Sequence, residues 1–215
     1  MAKLRITYNA PVVLTFALAA VIAFILEKTI SGSVEWFAAY PHLDRTQAYV
    51  GLFTHILGHA NWQHLIGNFM LILLLGPILE ERHGSGPLLL MILLTAFITG
   101  MANLVFSNGA LMGASGIVFM MILLASMANV RGGEIPLTFI AVAVIYMGGE
   151  IIRAFREDQI SQMAHLVGGI AGAAFGFIIA GKKGVAKAPK GGTAADLEKM
   201  LAPARAQTAK PKAKI

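Results

Sequence analysis

The sequence has no cysteine and few charged residues. None of its 215 residues is cysteine, which excludes disulfides, thiolate metal ligands and a cysteine nucleophile. Charged residues make up 13% of the chain, about half of their share in ordinary soluble domains, while 57% of the residues are hydrophobic. This balance predicts a membrane protein with little material left for a soluble domain.

Six apolar runs approach the length of roughly 17 to 25 residues that crosses a hydrocarbon core. They lie near residues 12–28, 62–79, 87–105, 111–130, 137–152 and 163–180. The first run ends at Glu27 and Lys28 without a small-residue cleavage site, so we expect an uncleaved span rather than a secretory signal. The predicted fold is an all-α membrane protein with six transmembrane helices in a core over residues 11–181, after a short cytosolic N-terminus over 1–10.

Positive charge is concentrated in the tail, over residues 182–215. Nine of the seventeen Lys and Arg residues lie there, so the net charge of +6 does not predict nucleic-acid binding. With few large apolar side chains, the tail is expected to be a disordered cytosolic segment, or alternatively to contact anionic lipid headgroups. Lys3, Arg5, Arg82 and Arg131 fall on the same side of six spans as this tail, which places both termini in the cytosol.

This topology predicts that three polar sets share one depth in the membrane. The second, fourth and sixth spans start from the outer face, and we expect their first turns to hold the following residues: His59, His64 and Asn68; Ser115; and His165. Polar or ionisable groups inside a span are costly and are read as functional by default. A site near the outer face would also be open to water, which a hydrolase needs.

Ser115 and His165 have the chemistry of a nucleophile and its base. Ser115 lies in Gly113-Ala114-Ser115-Gly116, where the flanking glycines allow close approach and the Ser115 N–H is available to an oxyanion. His165 lies one turn before Gly168, so a face made by Gly168 and Gly172 would bring the imidazole toward Gly116. The alternatives are a helix-packing surface of small residues and a satisfied interior histidine.

The histidines before Asn68 allow two interpretations. In His55-x3-His59-x4-His64-x3-Asn68, the last two residues are four apart and point the same way on a helix, as donors of an oxyanion hole would. A zinc site is the rival, but no His-Glu-x-x-His, cysteine or carboxylate accompanies the histidines. We therefore expect no metal and no cofactor.

An acid that would complete a triad is missing at this depth. The nearest candidates are Glu150 and Asp158, and neither position argues for contact with His165. We expect a Ser–His dyad in which Phe119, one turn below Ser115, packs against the imidazole. The alternative for Phe119 is ordinary apolar filler.

Together these motifs resemble the rhomboid family of intramembrane serine proteases. The similarity runs from residue 50 to about 180 and includes the close of the second span, Gly76…Glu80-Glu81-Arg82-His83-Gly84. It implies a six-helix bundle that cleaves single-span or multi-span membrane proteins within the lipid bilayer. In that scheme Ser115 is the nucleophile and His165 the general base, while His64, Asn68 and the Ser115 amide form the oxyanion site.

The resemblance also implies supporting roles and a location. His59 would be structural, near the active-site water, and residues 31–50 would form the family's first loop, partly in the outer leaflet. Phe119 stands where many bacterial members have tyrosine, and the first loop has no clear Trp-Arg pair. A bacterial inner membrane is the expected location. Two other functions stay open: a noncatalytic rhomboid-like client-binding protein, and a transporter that uses the histidines for metal or protons.

Overall fold

The chain forms seven α-helices and one 3₁₀ helix within the part that the structure describes. The computed structural model describes residues 7–127, 135–154 and 159–183. In chain order the elements are α1 (Pro11–Thr29), a 3₁₀ helix (Ser33–Phe37), α2 (Thr46–Thr54), α3 (Trp62–His83), α4 (Ser85–Phe106), α5 (Ser115–Ser126), α6 (Leu137–Ala154) and α7 (Gln159–Lys183). Apart from one antiparallel bridge between Ala39 and Leu111, the described residues hold no strand, so the predicted all-α class is confirmed.

Within the described ranges, three helices are long and apolar enough to cross a membrane: α1, α3 and α4. Shorter apolar stretches lie in α5, in α6 (Leu137–Gly148) and in α7 (Met163–Ile179). Each of the six predicted runs therefore overlaps a helix, whereas the number of six spans stays a prediction. Large apolar side chains such as Leu18, Met70 and Leu90 are exposed on the three long helices, as expected where the neighbour is lipid.

The predicted start of the fourth run was wrong. The apolar run begins near residue 111, but α5 begins at Ser115. Leu111 is instead paired with Ala39 in the bridge, and Gly113 has a φ of 124°, which is incompatible with a right-handed helix. Hydropathy does not distinguish a buried apolar loop from the helix that follows it.

Two further placements were wrong. His59 lies in the loop before α3 rather than in the first turn of a helix, and His165 lies in the second turn of α7, which begins at Gln159. The segment between the first two predicted spans also contains α2, which the search for long apolar runs missed because this helix has only nine residues. The tail from residue 184 onward, Arg131 and Asp158 lie outside the described residues.

Helix α5 is the buried centre of the bundle. Every residue from Gly116 to Leu124 is buried, and α5 packs against α3, α4 and α6. Its sequence is apolar all round, which is the pattern of a helix surrounded by other helices. The first turn of α5, which includes Ser115, is therefore fixed from several sides.

Glu80 near the end of α3 caps the start of α1. Its buried carboxylate accepts hydrogen bonds from the backbone N–H groups of Val12 and Val13, each at 3.0 Å, and from the Ser85 hydroxyl at 2.7 Å. No side chain at Ala10 caps the helix, so Glu80 satisfies N–H groups that the first turn of α1 leaves open. Glu80, near the C-terminal end of the second predicted span, therefore joins α1 to α3.

Replacement of Glu80 by alanine is expected to destabilise the protein by at least about 3 kcal/mol, since it removes three hydrogen bonds to a charged group that each contribute about 1.5–3 kcal/mol. The measurement is thermal unfolding in detergent. Glu81→Ala is the matched control because Glu81 is an exposed neighbour. Equal unfolding temperatures for the two variants would contradict the capping role.

Candidate active site

The loop before α5 is held between α2 and α3. The backbone N–H of Gly113 donates to the carbonyl of His55 at 2.9 Å. Gly113 has a φ of 124°, and a Cβ atom on it would lie 2.5 Å from Cε1 of His64. Glycine is therefore required here both for the backbone conformation and for the close approach of the imidazole.

Ser115 is the first residue of α5 and is half-buried. The N–H groups of a first turn have no acceptor within their own helix, and the positive end of the helix dipole lies there. Because Gly113 lies against His64, the start of α5 faces the first turn of α3. Ser115 thus combines a hydroxyl, an amide donor and a favourable field for negative charge.

Two glycines bring α7 directly onto α5. A Cβ atom on Gly168 would overlap the carbonyl oxygen of Gly116, and one on Gly172 would overlap the carbonyl oxygen of Met120. Small residues that let backbones approach are a common means of helix association in membranes. The predicted approach of Gly168 to α5 at Gly116 is confirmed.

The ring of His165 lies flat on the ring of Phe119. The two ring centroids are 4.5 Å apart and the planes differ by only 4°. The expected contact between Phe119 and the imidazole is thus present, and it places His165 beside the first two turns of α5.

His59 and Asn68 form a buried pair below His64. Nδ1 of His59 lies 3.0 Å from the carbonyl of Leu57, which can only accept, so Nδ1 carries the proton. Nε2 then accepts from the Asn68 amide at 3.1 Å. This bond fixes the orientation of Asn68 and leaves the second hydrogen of its NH2 group for another acceptor.

His55 supports the same region from behind. Its Nδ1 donates to the carbonyl of Gly51 at 3.0 Å, and its Nε2 lies 3.2 Å from the hydroxyl oxygen of Thr99. The Thr99 methyl group in turn lies against Gly116, where an added Cβ would come within 3.1 Å of it. The buried ring therefore connects α2 and α4 to the start of α5.

Burial keeps both loop histidines neutral. Desolvation lowers the pKa of His55 to about 4 and the pKa of His59 to about 4, although each ring donates to a backbone carbonyl that opposes the shift. At neutral pH, Nε2 of each ring is therefore an acceptor. For His59, this protonation state agrees with the hydrogen bond that its Nε2 accepts from Asn68.

The contacts described above bring the segments that carry the motif residues next to one another. His64, Ser115 and His165 are half-buried, while His59 and Asn68 are buried behind them. Gly113, Gly116, Phe119, Gly168 and Gly172 make the close contacts described above. The side chain of Glu150, like Asp158, lies outside the described part. Where side chains are described, no group of three His, Cys, Asp or Glu residues is arranged to hold a metal ion.

Two supporting residues were missed from the sequence. Asn61 caps α3 by accepting from the His64 N–H at 2.8 Å, and it thereby fixes the turn that presents His64. An asparagine just before a helix is a recognised start signal that was available. Thr99 was also visible as the centre of a polar stripe four residues apart, Thr95, Thr99 and Asn103, within the apolar α4.

Comparison with known proteins identifies the family that this architecture defines. The Rhomboid domain family matches residues 46–182, which is more than half of the chain. The chain belongs to the rhomboid family. It is 34% identical over 135 residues to Rhomboid-related protein 1 of Caenorhabditis elegans, an alignment that covers 56% of this chain and 37% of that protein. The chain thus spans little more than a third of the length of that relative.

Replacement of Gly168 by alanine is expected to separate α7 from α5. The new Cβ would meet a backbone carbonyl, which cannot rotate away, so we expect a destabilisation of about 2 kcal/mol, within the usual range for overpacking. Thermal unfolding in detergent measures the loss. Gly86→Ala is the matched control because a Cβ atom there meets open space. A Gly168 variant as stable as this control would refute the contact.

Proposed function

We propose that this rhomboid protein is an intramembrane serine endopeptidase that cleaves membrane protein substrates. The observation that supports this proposal most is the convergence of three helix segments. Three contacts support it: Gly113 with His64, Gly168 with Gly116, and the ring of His165 with that of Phe119, each of which joins segments that carry a proposed nucleophile, base or oxyanion donor. A structural role alone would not require these groups to meet.

In the proposed mechanism, Ser115 Oγ attacks the carbonyl carbon of the scissile peptide bond and passes its proton to His165. The negative oxygen that develops accepts hydrogen bonds from the Ser115 N–H, the Asn68 amide and His64. A single donor of this kind lowers the barrier by roughly 3–4 kcal/mol. His165 then protonates the leaving amine, and a water molecule hydrolyses the acyl-enzyme with His165 as its base.

His59 and Phe119 support the proposed catalytic groups in this scheme by holding their side chains in place. His59 holds Asn68 through its Nε2, so one amide hydrogen of Asn68 stays directed at the oxyanion. Phe119 keeps the imidazole plane fixed while the proton moves from serine to leaving group. Both supports are neutral, which avoids placing further charge in a site surrounded by apolar helices.

The proposed membrane arrangement is a bundle of six spans with both termini in the cytosol. It rests on the basic residues that flank the apolar runs and on the six helices that overlap those runs. The site would then open toward the outer face, from which water reaches it. The bacterial inner membrane expected from the resemblance stays a prediction, since the relative named above comes from a nematode.

The test is labelling of the detergent-purified protein with a fluorophosphonate, which reacts with activated serines. We expect wild-type protein to be labelled, Ser115→Ala not to be labelled, and His165→Ala to react at least about a thousandfold more slowly, as when a base of this kind is removed. Ser126→Ala on the same helix and His42→Ala in the exposed first loop are the matched controls and should react like wild type.

Two results would contradict the proposal. Labelling that persists in Ser115→Ala would show that another residue reacts with the probe. Folded wild-type protein that neither reacts with the probe nor hydrolyses a small ester substrate would favour a noncatalytic protein that binds membrane clients.

A further inference from the structure

Three aromatic rings from three helices form a continuous stack at the proposed base. His165 of α7 lies parallel to Phe119 of α5, and Phe119 meets Tyr146 of α6 with centroids 6.0 Å apart and planes at 80°. Both arrangements, parallel and edge-on, are favourable for aromatic pairs because ring edges are positive and ring faces negative. Tyr146 is therefore linked to the imidazole through one intervening ring.

Helix α6 contacts both this aromatic stack and α7 through neighbouring residues. Met147, the residue after Tyr146, packs against Gly169 of α7. A Cβ atom added to Gly169 would overlap the sulfur of Met147. Gly169 is next to Gly168, the residue that meets α5. Two consecutive residues of α6 thus contact the α5 and α7 sides of the site.

The exposures of the two rings suggest different tasks. Phe119 is 9% exposed and is enclosed by the bundle, whereas Tyr146 is 40% exposed. If Tyr146 were only a core packing residue, its side chain would be covered more completely. If it only contacted lipid, its ring would not lie edge-on to the buried ring of Phe119. The geometry of Tyr146 is that of a side chain that limits how Phe119 can tilt.

We propose that Tyr146 is a positioning residue, which holds Phe119 flat against His165 and so keeps the imidazole oriented for proton transfer from Ser115. This inference rests on the proposed function. It makes the position of α6 a determinant of the alignment of the His165 ring, because a shift of α6 removes Tyr146 from the stack. The ring of Tyr146 performs this task, and its hydroxyl is not needed.

The experiment compares Tyr146→Ala, Tyr146→Leu and Tyr146→Phe by the rate constant and by the endpoint of fluorophosphonate labelling. The endpoint reports the fraction of folded protein, and the rate constant reports activation of the serine in each folded molecule. We expect the alanine and leucine variants to react about three- to tenfold more slowly, the loss that one aromatic pair produces, with unchanged endpoints. Tyr146→Phe should restore the wild-type rate.

Two controls separate this role from general packing. Ile145→Ala removes an exposed apolar side chain from the same turn and should leave the rate unchanged. Phe119→Leu removes the ring through which Tyr146 acts, so adding Tyr146→Ala to it should cause no further loss. In peptide hydrolysis, the alanine variant should lower kcat and leave KM unchanged.

The possible outcomes distinguish this inference from the proposed function. If wild type reacts in a Ser115-dependent manner and Tyr146→Ala reacts at the same rate, the positioning role is wrong while the protease proposal stands. A lower endpoint with an unchanged rate would likewise overturn it, because it would show a role in folding only. Additive losses in the double variant would show that Tyr146 does not act through Phe119. Absence of any Ser115-dependent labelling would overturn both proposals.

Discussion

The close contact between the backbones of α5 and α7 is the constraint on which the site depends. Helices in lipid gain little from hydrophobic burial against each other, so they associate through close packing and hydrogen bonds. Gly168 and Gly172 lack side chains at the points where α7 meets carbonyl oxygens of α5. Because Gly116 follows Ser115 and His165 precedes Gly168 by one turn, the contact that joins the helices also sets the start of α5 beside the turn of α7 that holds His165.

A second constraint is the set of buried hydrogen bonds around the loop that ends at Ser115. The His55 carbonyl holds the Gly113 N–H, and the His55 ring reaches Thr99 on α4. A polar group buried without a partner costs about 1–3 kcal/mol, so these bonds are strongly favoured once the helices have closed around them. These bonds hold the loop before α5 and the buried polar side chains around it in place within an apolar bundle.

The sequence was sufficient to predict the all-α class of fold and the contact of Gly168 with α5, but not the local geometry around the proposed site. Apolar runs predict the helices because bilayer thickness sets their length, and the spacing of Gly168 and Gly172 predicts a helix contact. The loop position of His59 and the late start of α5 escaped prediction, since the bridge from Ala39 to Leu111 and the backbone at Gly113 depend on residues distant in the chain. Tyr146 was missed for a related reason. In an apolar helix, the sequence alone does not distinguish an aromatic residue that faces lipid from one that contacts Phe119 on a neighbouring helix.

The proposed mechanism requires that Ser115 cleaves peptide bonds in membrane proteins. To test this, purified wild-type protein and Ser115→Ala are each placed in lipid vesicles with a single-span reporter protein, and the fragments are followed by mass spectrometry. We expect one defined cut at or near the reporter's transmembrane segment with wild type, and intact reporter with the variant. Cleavage at equal rates by both proteins would contradict it.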